Sequence, residues 1–285
     1  MELTALRDRG RLRLMGLVVL AIVIAGCGGV GGPPASSPAT TGPASGSLTP
    51  GTTDADRTAA VCSAWVDADA AAANVLLNTN LAAATPEQLQ ATVKEFWSKQ
   101  EPILVSMDRQ APDEIKGDVE QLLAQARQGA ATGSVATLSS PELVAADRNL
   151  DRYMLQECGY DQITIGATDQ AYQGLPRAVP AGTFAVTLRN QGREAHQAVI
   201  SRAKDGVTLP YPEILALPPE QQLQMATVLG SVQADPGQTD TVFVRLTPGR
   251  HGAVDFLPQG TTSIGTPGSG PPHYTLGMVG EFVVT

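Results

Sequence analysis

Histidine is scarce in this chain: His196, His251 and His273 are the whole supply among 285 residues. Five residues after His273 comes Met278, and a run of Val279-Gly280-Glu281-Phe282-Val283-Val284 follows with the texture of a strand. Imidazole nitrogen and a thioether are donors that hold copper, and one loop between two strands can bring several donors to one end of a sheet. Gly277, just before the strand, leaves room for close backbone passage. Residue statistics alone favour a plainer assignment, a core methionine and a rim histidine beside the last strand.

Other chemistry is poorly represented. The sequence has no Gly-x-Ser-x-Gly elbow, Walker loop, His-Glu-x-x-His or Cys-x-x-Cys. Three histidines cannot fill the several His-rich motifs that a multicopper oxidase needs, and no nucleophile stands out to pair with His251 or His196. The chain therefore reads as a binding protein rather than an enzyme. Its net charge of −9 argues against nucleic acid as a partner and against electrostatic docking on anionic lipid.

The N-terminal segment sets the expected compartment. Arg7, Arg9, Arg11 and Arg13 precede an apolar run from Leu14 to Ala25, too short for a comfortable membrane span and ending at small residues, as in a secretory signal over 1–26. Ile24-Ala25-Gly26-Cys27 resembles the bacterial lipobox. That resemblance implies acylation of Cys27, palmitate included, and a cell-membrane lipoprotein facing the extracytoplasmic side, with the lipid membrane as one partner. Removing the segment before Cys27, with its four Arg against Glu2 and Asp8, takes the net charge to −11.

With Cys27 lipidated, Cys62 and Cys158 remain as an even pair in an oxidising compartment, and a disulfide between them is expected, two buried thiols being the alternative. Residues 27–53 are Gly, Pro, Ser, Thr and Ala with almost no charge, the composition of a flexible tether. From 54 to 158 the periodicity is helical. Val61, Trp65, Ala68, Ala72 and Val75 mark one stripe, and Thr85-Pro86-Glu87-Gln88 is a capping box opening a second helix that Pro102 should kink or end. Pro112-Asp113-Glu114 opens a third helix with Gly129 as its expected C-cap, and Ser140-Pro141-Glu142 opens a fourth. The expectation is a small up-down bundle.

Beyond Gly159 short alternating runs replace the helical period: Ile163-Thr164-Ile165, Thr183 to Leu188, Ala198-Val199-Ile200, Thr241 to Leu246 and Phe282-Val283-Val284. With Gly, Pro and Asn between them they predict an antiparallel β-sandwich over 159–285, covered on one side by a helical insertion from Glu213 to about Val228. The fold class is thus α+β and multi-domain, a helical bundle followed by a sandwich.

This second half resembles the cupredoxins, the blue-copper β-sandwiches with a Greek-key topology. The run Val179-Pro180-Ala181-Gly182-Thr183-Phe184 to Asn190 looks like the family's strand leading into an Asn-containing loop, and His196 follows six residues later. His273 and Met278 have the family's His and axial-Met spacing. The resemblance implies His196 and His273 as copper imidazoles and Met278 as a weak axial donor. It also implies a ligand Cys, yet Gly249-Arg250-His251-Gly252-Ala253-Val254-Asp255 carries Asp255 at that position. Carboxylate cannot replace thiolate in blue-copper electron transfer, so that role is excluded by the resemblance itself.

Two readings follow. The favoured one is a non-catalytic binding or interaction protein of the cell envelope, its sandwich a scaffold whose copper site has decayed and its partner an unidentified envelope protein. The second is Cu(II) binding or buffering through His196, His273, Asp255 and Met278. The long segment from Leu257 to Pro272 weighs for the first, because slack in the loop should loosen His273 against Asp255.

Overall fold

The computed structural model describes residues 53–77, 84–138, 140–264 and 266–285. The signal segment, Cys27 and the tether up to residue 52 lie outside the described residues.

Among the described residues four helices come first: α1 (Asp54–Leu77), α2 (Pro86–Gln110), α3 (Asp113–Thr132) and α4 (Pro141–Glu157). Their starts follow the sequence. Thr53 Oγ1 accepts the Asp56 N–H at 3.2 Å while Asp56 Oδ2 accepts the Thr53 N–H at 3.0 Å. Thr85 and Gln88 form the expected reciprocal box, and Ser140 Oγ accepts the Leu143 N–H. Two expectations need correction. The second helix continues through Pro102, an exposed position where the carbonyl freed by the missing N–H can face water. Gly129 lies inside α3, and Gly133, at φ 67°, is the C-cap. Gly129 serves packing instead, since a Cβ there would overlap the indole of Trp97.

Cys62 and Cys158 are joined in a disulfide, tying α1 to the end of α4 across 96 residues. Trp65, Phe96, Trp97, Leu104, Leu122, Leu150 and Met154 fill the space between the helices. That core does not stop at the helices: Ala185 and Phe243, from the sheet that follows, belong to it.

Among the described residues nine strands make two sheets. One has the order β2–β1–β4–β7, from β1 (Asp161–Thr168), β2 (Ala171–Gln173), β4 (Gly182–Asn190) and β7 (Thr239–Leu246). The other has the order β3–β9–β8–β5–β6, from β3 (Ala178–Val179), β5 (His196–Ala203), β6 (Ala226–Ala234), β8 (Gly249–Val254) and β9 (Val279–Val284). The antiparallel expectation holds for most pairs, but β1 runs parallel to β4 and β3 parallel to β9. Residues 169–181 explain this. Between β1 and β4 they carry the chain back through β2, antiparallel to β1 in the same sheet, and across to β3 in the other sheet, giving the crossover length that parallel neighbours require. Ile163, Ile165, Phe184, Val186, Val242 and Val244 of the first sheet meet Ala198, Ile200, Val232, Phe282 and Val284 of the second in a buried apolar interlayer.

The predicted insertion forms two short helices, α5 (Tyr211–Leu215) and α6 (Pro219–Met225), and its last residues already belong to β6. Strands β7 and β6 each form one edge of their sheet and adjoin, with α1 lying across both. Asp69 Oδ2 accepts the Phe243 N–H at 3.0 Å, Asp67 pairs with Arg245 at 3.0 Å, and Ala73 packs with Val199. A helix thus covers the backbone edge that a sandwich would otherwise leave open to other chains.

Candidate metal centre

Three neighbouring strands, β9, β8 and β5, deliver the candidate ligands to one end of the second sheet. His196 is the first residue of β5, and Asp255 follows the last residue of β8. Because β5 and β8 are antiparallel, with Val199 opposite Val254, the two side chains emerge together. His273 opens a 3₁₀ turn, residues 273–276, ahead of β9.

The 257–272 segment is less slack than its composition suggests. Its ends are paired: His273 N–H donates to Leu257 O at 2.9 Å, Gln259 N–H to Pro271 O at 2.9 Å, and Gly270 N–H to Gln259 O at 3.0 Å. Tyr274 N–H donates to Asp255 O at 2.8 Å, which sets His273 in register with the acid. Gly277, at φ 117°, turns the chain where a Cβ would lie 2.9 Å from Gln170 O.

The geometry centres on one oxygen. Asp255 Oδ2 lies 2.9 Å from His196 Nδ1 and 3.0 Å from His273 Nδ1, while Oδ1 accepts the Leu257 N–H at 2.9 Å. His196, His273 and Asp255 are completely buried. Ligand atoms from the three lie within 4.8 Å of one another, and the trio is the one such cluster of metal-ligating side chains among the described residues. Met278 is held beside them through its backbone, which accepts the Asp255 N–H at 3.1 Å, and its buried side chain packs in the interlayer. His251 stands apart. It stacks on Phe282, its Nδ1 lies 3.2 Å from Gly249 O, and burial lowers its pKa.

Two carboxylates absent from the sequence expectations complete the surroundings. Glu194 Oε2 lies 3.0 Å from His273 Nε2 and accepts the Gly260 N–H at 2.5 Å. Asp169 Oδ1 lies 3.7 Å from His196 Nε2, a ring nitrogen that is buried without a hydrogen-bond partner. Asn190 staples the loop carrying Glu194: its Nδ2 donates to Glu194 O at 2.7 Å and Ala234 O at 2.8 Å, and its Oδ1 accepts the Gly192 N–H at 2.8 Å. The one sequence clue for Glu194 was its nearness, two residues before His196; it lies in a bend, so strand alternation does not set its direction. Asp169, in the turn after β1, has no comparable spacing.

The charges around the rings are acidic. Loss of water works against a charged ring at His273, but the hydrogen bonds and charges of Asp255 and Glu194 outweigh it and raise its pKa above the ordinary imidazole value. Asp169 is pulled down to about 2, first by the Arg193 backbone N–H and then, against the cost of burial, by the Arg193 side chain and the Glu194 N–H. Two imidazole nitrogens and a carboxylate oxygen make a borderline donor set that fits Cu(II) or Zn(II). No thiolate is available among the described residues, because Cys62 and Cys158 are bonded to each other.

No protein-family model matches the sequence, and the comparison with curated proteins finds no match. Among solved structures, the chain is similar to the dithionite-reduced auracyanin of the photosynthetic bacterium Roseiflexus castenholzii. The likeness has 24% identity and a TM-score of 0.30, over 45% of this chain and 99% of that one. It is also similar to auracyanin A, a "blue" copper protein of Chloroflexus aurantiacus, at 17% identity and a TM-score of 0.29, over 45% of this chain and all of that one. A copper-containing nitrite reductase from Thermus scotoductus matches at 12% identity and a TM-score of 0.23, over 44% of this chain and 31% of its own. At such TM-scores neither copper content nor activity passes from those proteins to this chain.

Proposed function

We propose that this chain is a lipid-anchored, extracytoplasmic and non-catalytic binding protein whose sandwich end holds a divalent transition-metal ion, Cu(II) foremost. The ligands are Nδ1 of His196, Nδ1 of His273 and the Asp255 carboxylate. One observation carries the reading: His273 has a carboxylate at each ring nitrogen, Asp255 at 3.0 Å and Glu194 at 3.0 Å. A neutral imidazole has a single N–H, and carboxylates only accept. One of the two contacts therefore calls for an added positive charge, a second proton in the metal-free protein or a metal ion. The inner contact is the place for an ion, because His196 Nδ1 converges on the same Asp255 oxygen.

The bound ion would be held by nitrogen and oxygen without thiolate, a set suited to binding rather than to blue-copper electron transfer. The anchoring rests on the lipobox-like Ile24-Ala25-Gly26-Cys27; among the described residues no helix is long and apolar enough to cross a membrane.

A second reading, an interaction protein with no ion, is favoured by a cleft of about 1020 Å³ beside the site. Its walls include Leu215, Leu217, Phe256, Pro258, Pro272 and Tyr274, and no charged side chain lines it. Calorimetric titration of the purified protein with Cu(II) separates the two. One ion bound per chain, tighter than micromolar and lost in both His196→Ala and His273→Ala, is the expected result. Absence of binding, or binding indifferent to both substitutions, rejects the metal reading and leaves the interaction protein.

A further inference from the structure

A histidine that ligates through Nδ1 must carry its hydrogen on Nε2, and something has to receive that hydrogen when the ring is buried. In this site both rings turn Nδ1 inward, 2.9 and 3.0 Å from Asp255 Oδ2, and Nε2 outward. Each outward nitrogen faces a second carboxylate. For His273 the contact is made, at 3.0 Å from Glu194 Oε2. For His196 it is not: the buried Nε2 has no partner, and Asp169 Oδ1 stands at 3.7 Å.

We propose that Glu194 and Asp169 are positioning residues that hold the Nε2–H form of the two imidazoles and so aim both Nδ1 lone pairs at the ion. The inference rests on the metal reading above and deepens it. His273 is already set by Glu194, itself tied to the Gly260 N–H. His196 is not, and its tautomer changes on binding. Without the ion its hydrogen sits on Nδ1 against Asp255; with the ion, Nδ1 gives that hydrogen up and Nε2 carries one, so the ring neither gains nor loses a proton. The orphaned nitrogen is where that hydrogen goes.

Two features keep the approach open. Asp169 is aimed by Arg193, whose backbone N–H donates to Oδ1 at 2.6 Å and whose Nε donates to Oδ2 at 2.9 Å. Residue 192 is glycine, and a Cβ there would lie 2.7 Å from His196 Nε2 and collide with Asp169 Oδ1, filling the gap across which the two must meet.

The test uses Zn(II), whose filled d shell leaves NMR spectra sharp, on the full chain. Long-range ¹H–¹⁵N correlation of the zinc-loaded protein is expected to show Nε2–H on both His196 and His273, with His196 changing from the Nδ1–H form of the metal-free protein. Asp169→Ala and Glu194→Ala are each expected to weaken zinc binding about 10- to 100-fold, with a smaller loss in Asp169→Asn and Glu194→Gln, which still offer an acceptor oxygen. Zinc bound through Nε2 of either ring, or Ala variants that bind as tightly as wild type, overturns the assignment. Should Asp169→Ala fail to fold, Glu194→Gln and the wild-type spectrum decide. A wild-type chain that binds no zinc or copper is a different failure, that of the metal reading itself, and this assignment falls with it.

Discussion

The helical half of the molecule, from Asp54 to Glu157, contains no histidine, whereas the sheet half contains all three. The helices hold their order through local rules, a side-chain cap at the start of three of the four and an apolar stripe along each length, and every rule can be read within a dozen residues. The candidate metal centre joins residues 59 and 18 positions apart in sequence, and its geometry comes from strand pairing and from the closure of a long loop. Local rules thus make a scaffold, and non-local pairing makes the chemistry. The two meet along α1, whose contacts with β6 and β7 make the helices part of the sandwich rather than a separate appendage.

If that division is right, damage to the helical half should lower stability and leave metal affinity alone. The largest effect is expected from removing the disulfide. Replacing Cys62 and Cys158 with Ala should cost about 4–5 kcal/mol on the chain-entropy estimate for a loop of this size, read as a lower urea midpoint. Phe243→Ala comes next. This buried ring joins the helical core from the sheet, and its loss should cost about 3–5 kcal/mol, while copper titration of the protein that remains folded gives the wild-type affinity. A shift of affinity in either variant would break the comparison, since it would mean that the scaffold tunes the site.

The smallest effect is a pH slope. Asp69 sits at the junction, half-buried, and loss of water raises its pKa well above the usual carboxylate value, against the pull of the Phe243 N–H. The folded state therefore binds this proton more tightly than the unfolded state does. Its contribution to stability is complete below the ordinary carboxylate pKa of about 4 and is lost as pH rises through the raised value. Asp69→Asn should flatten that part of the profile in urea melts taken from acid to neutral pH. An unchanged slope would remove Asp69 as its source.

How much of this was legible in the sequence follows the same division. Thr85 with Gln88, Ser140, and the Cys62–Cys158 pairing were readable because each depends on few residues and a familiar chemical preference. Pro102 and Gly129 misled because position overrode propensity: the proline is on an exposed face, and the glycine makes room for Trp97. The strand runs of β1, β4, β5, β7 and β9 were visible as alternation. Strands β2 and β3 are too short to show a period, β6 emerges from a helical stretch, and β8 was noticed only for its Asp255. The resemblance brought His196, His273 and Asp255 into consideration, but composition pointed the wrong way on their fit. A Gly/Pro/Ser/Thr segment looks slack in one dimension, and the backbone pairing of Leu257 with His273 and of Gln259 with Pro271 becomes visible only when the loop is closed. Glu194 and Asp169 reach the site through other loops, and no single-segment pattern names them.

The disulfide also has a mechanical consequence. A pull on the N-terminal side of α1 passes down the first turns to Cys62, crosses to Cys158 and enters β1 at Asp161. The 96-residue span between the two cysteines, with the rest of α1 and all of α2, α3 and α4 inside it, is bypassed by the load. Past the disulfide the first element to bear force is therefore β1, held between β2 and β4, and most of the helical layer would keep its fold under a tension that strains the strands.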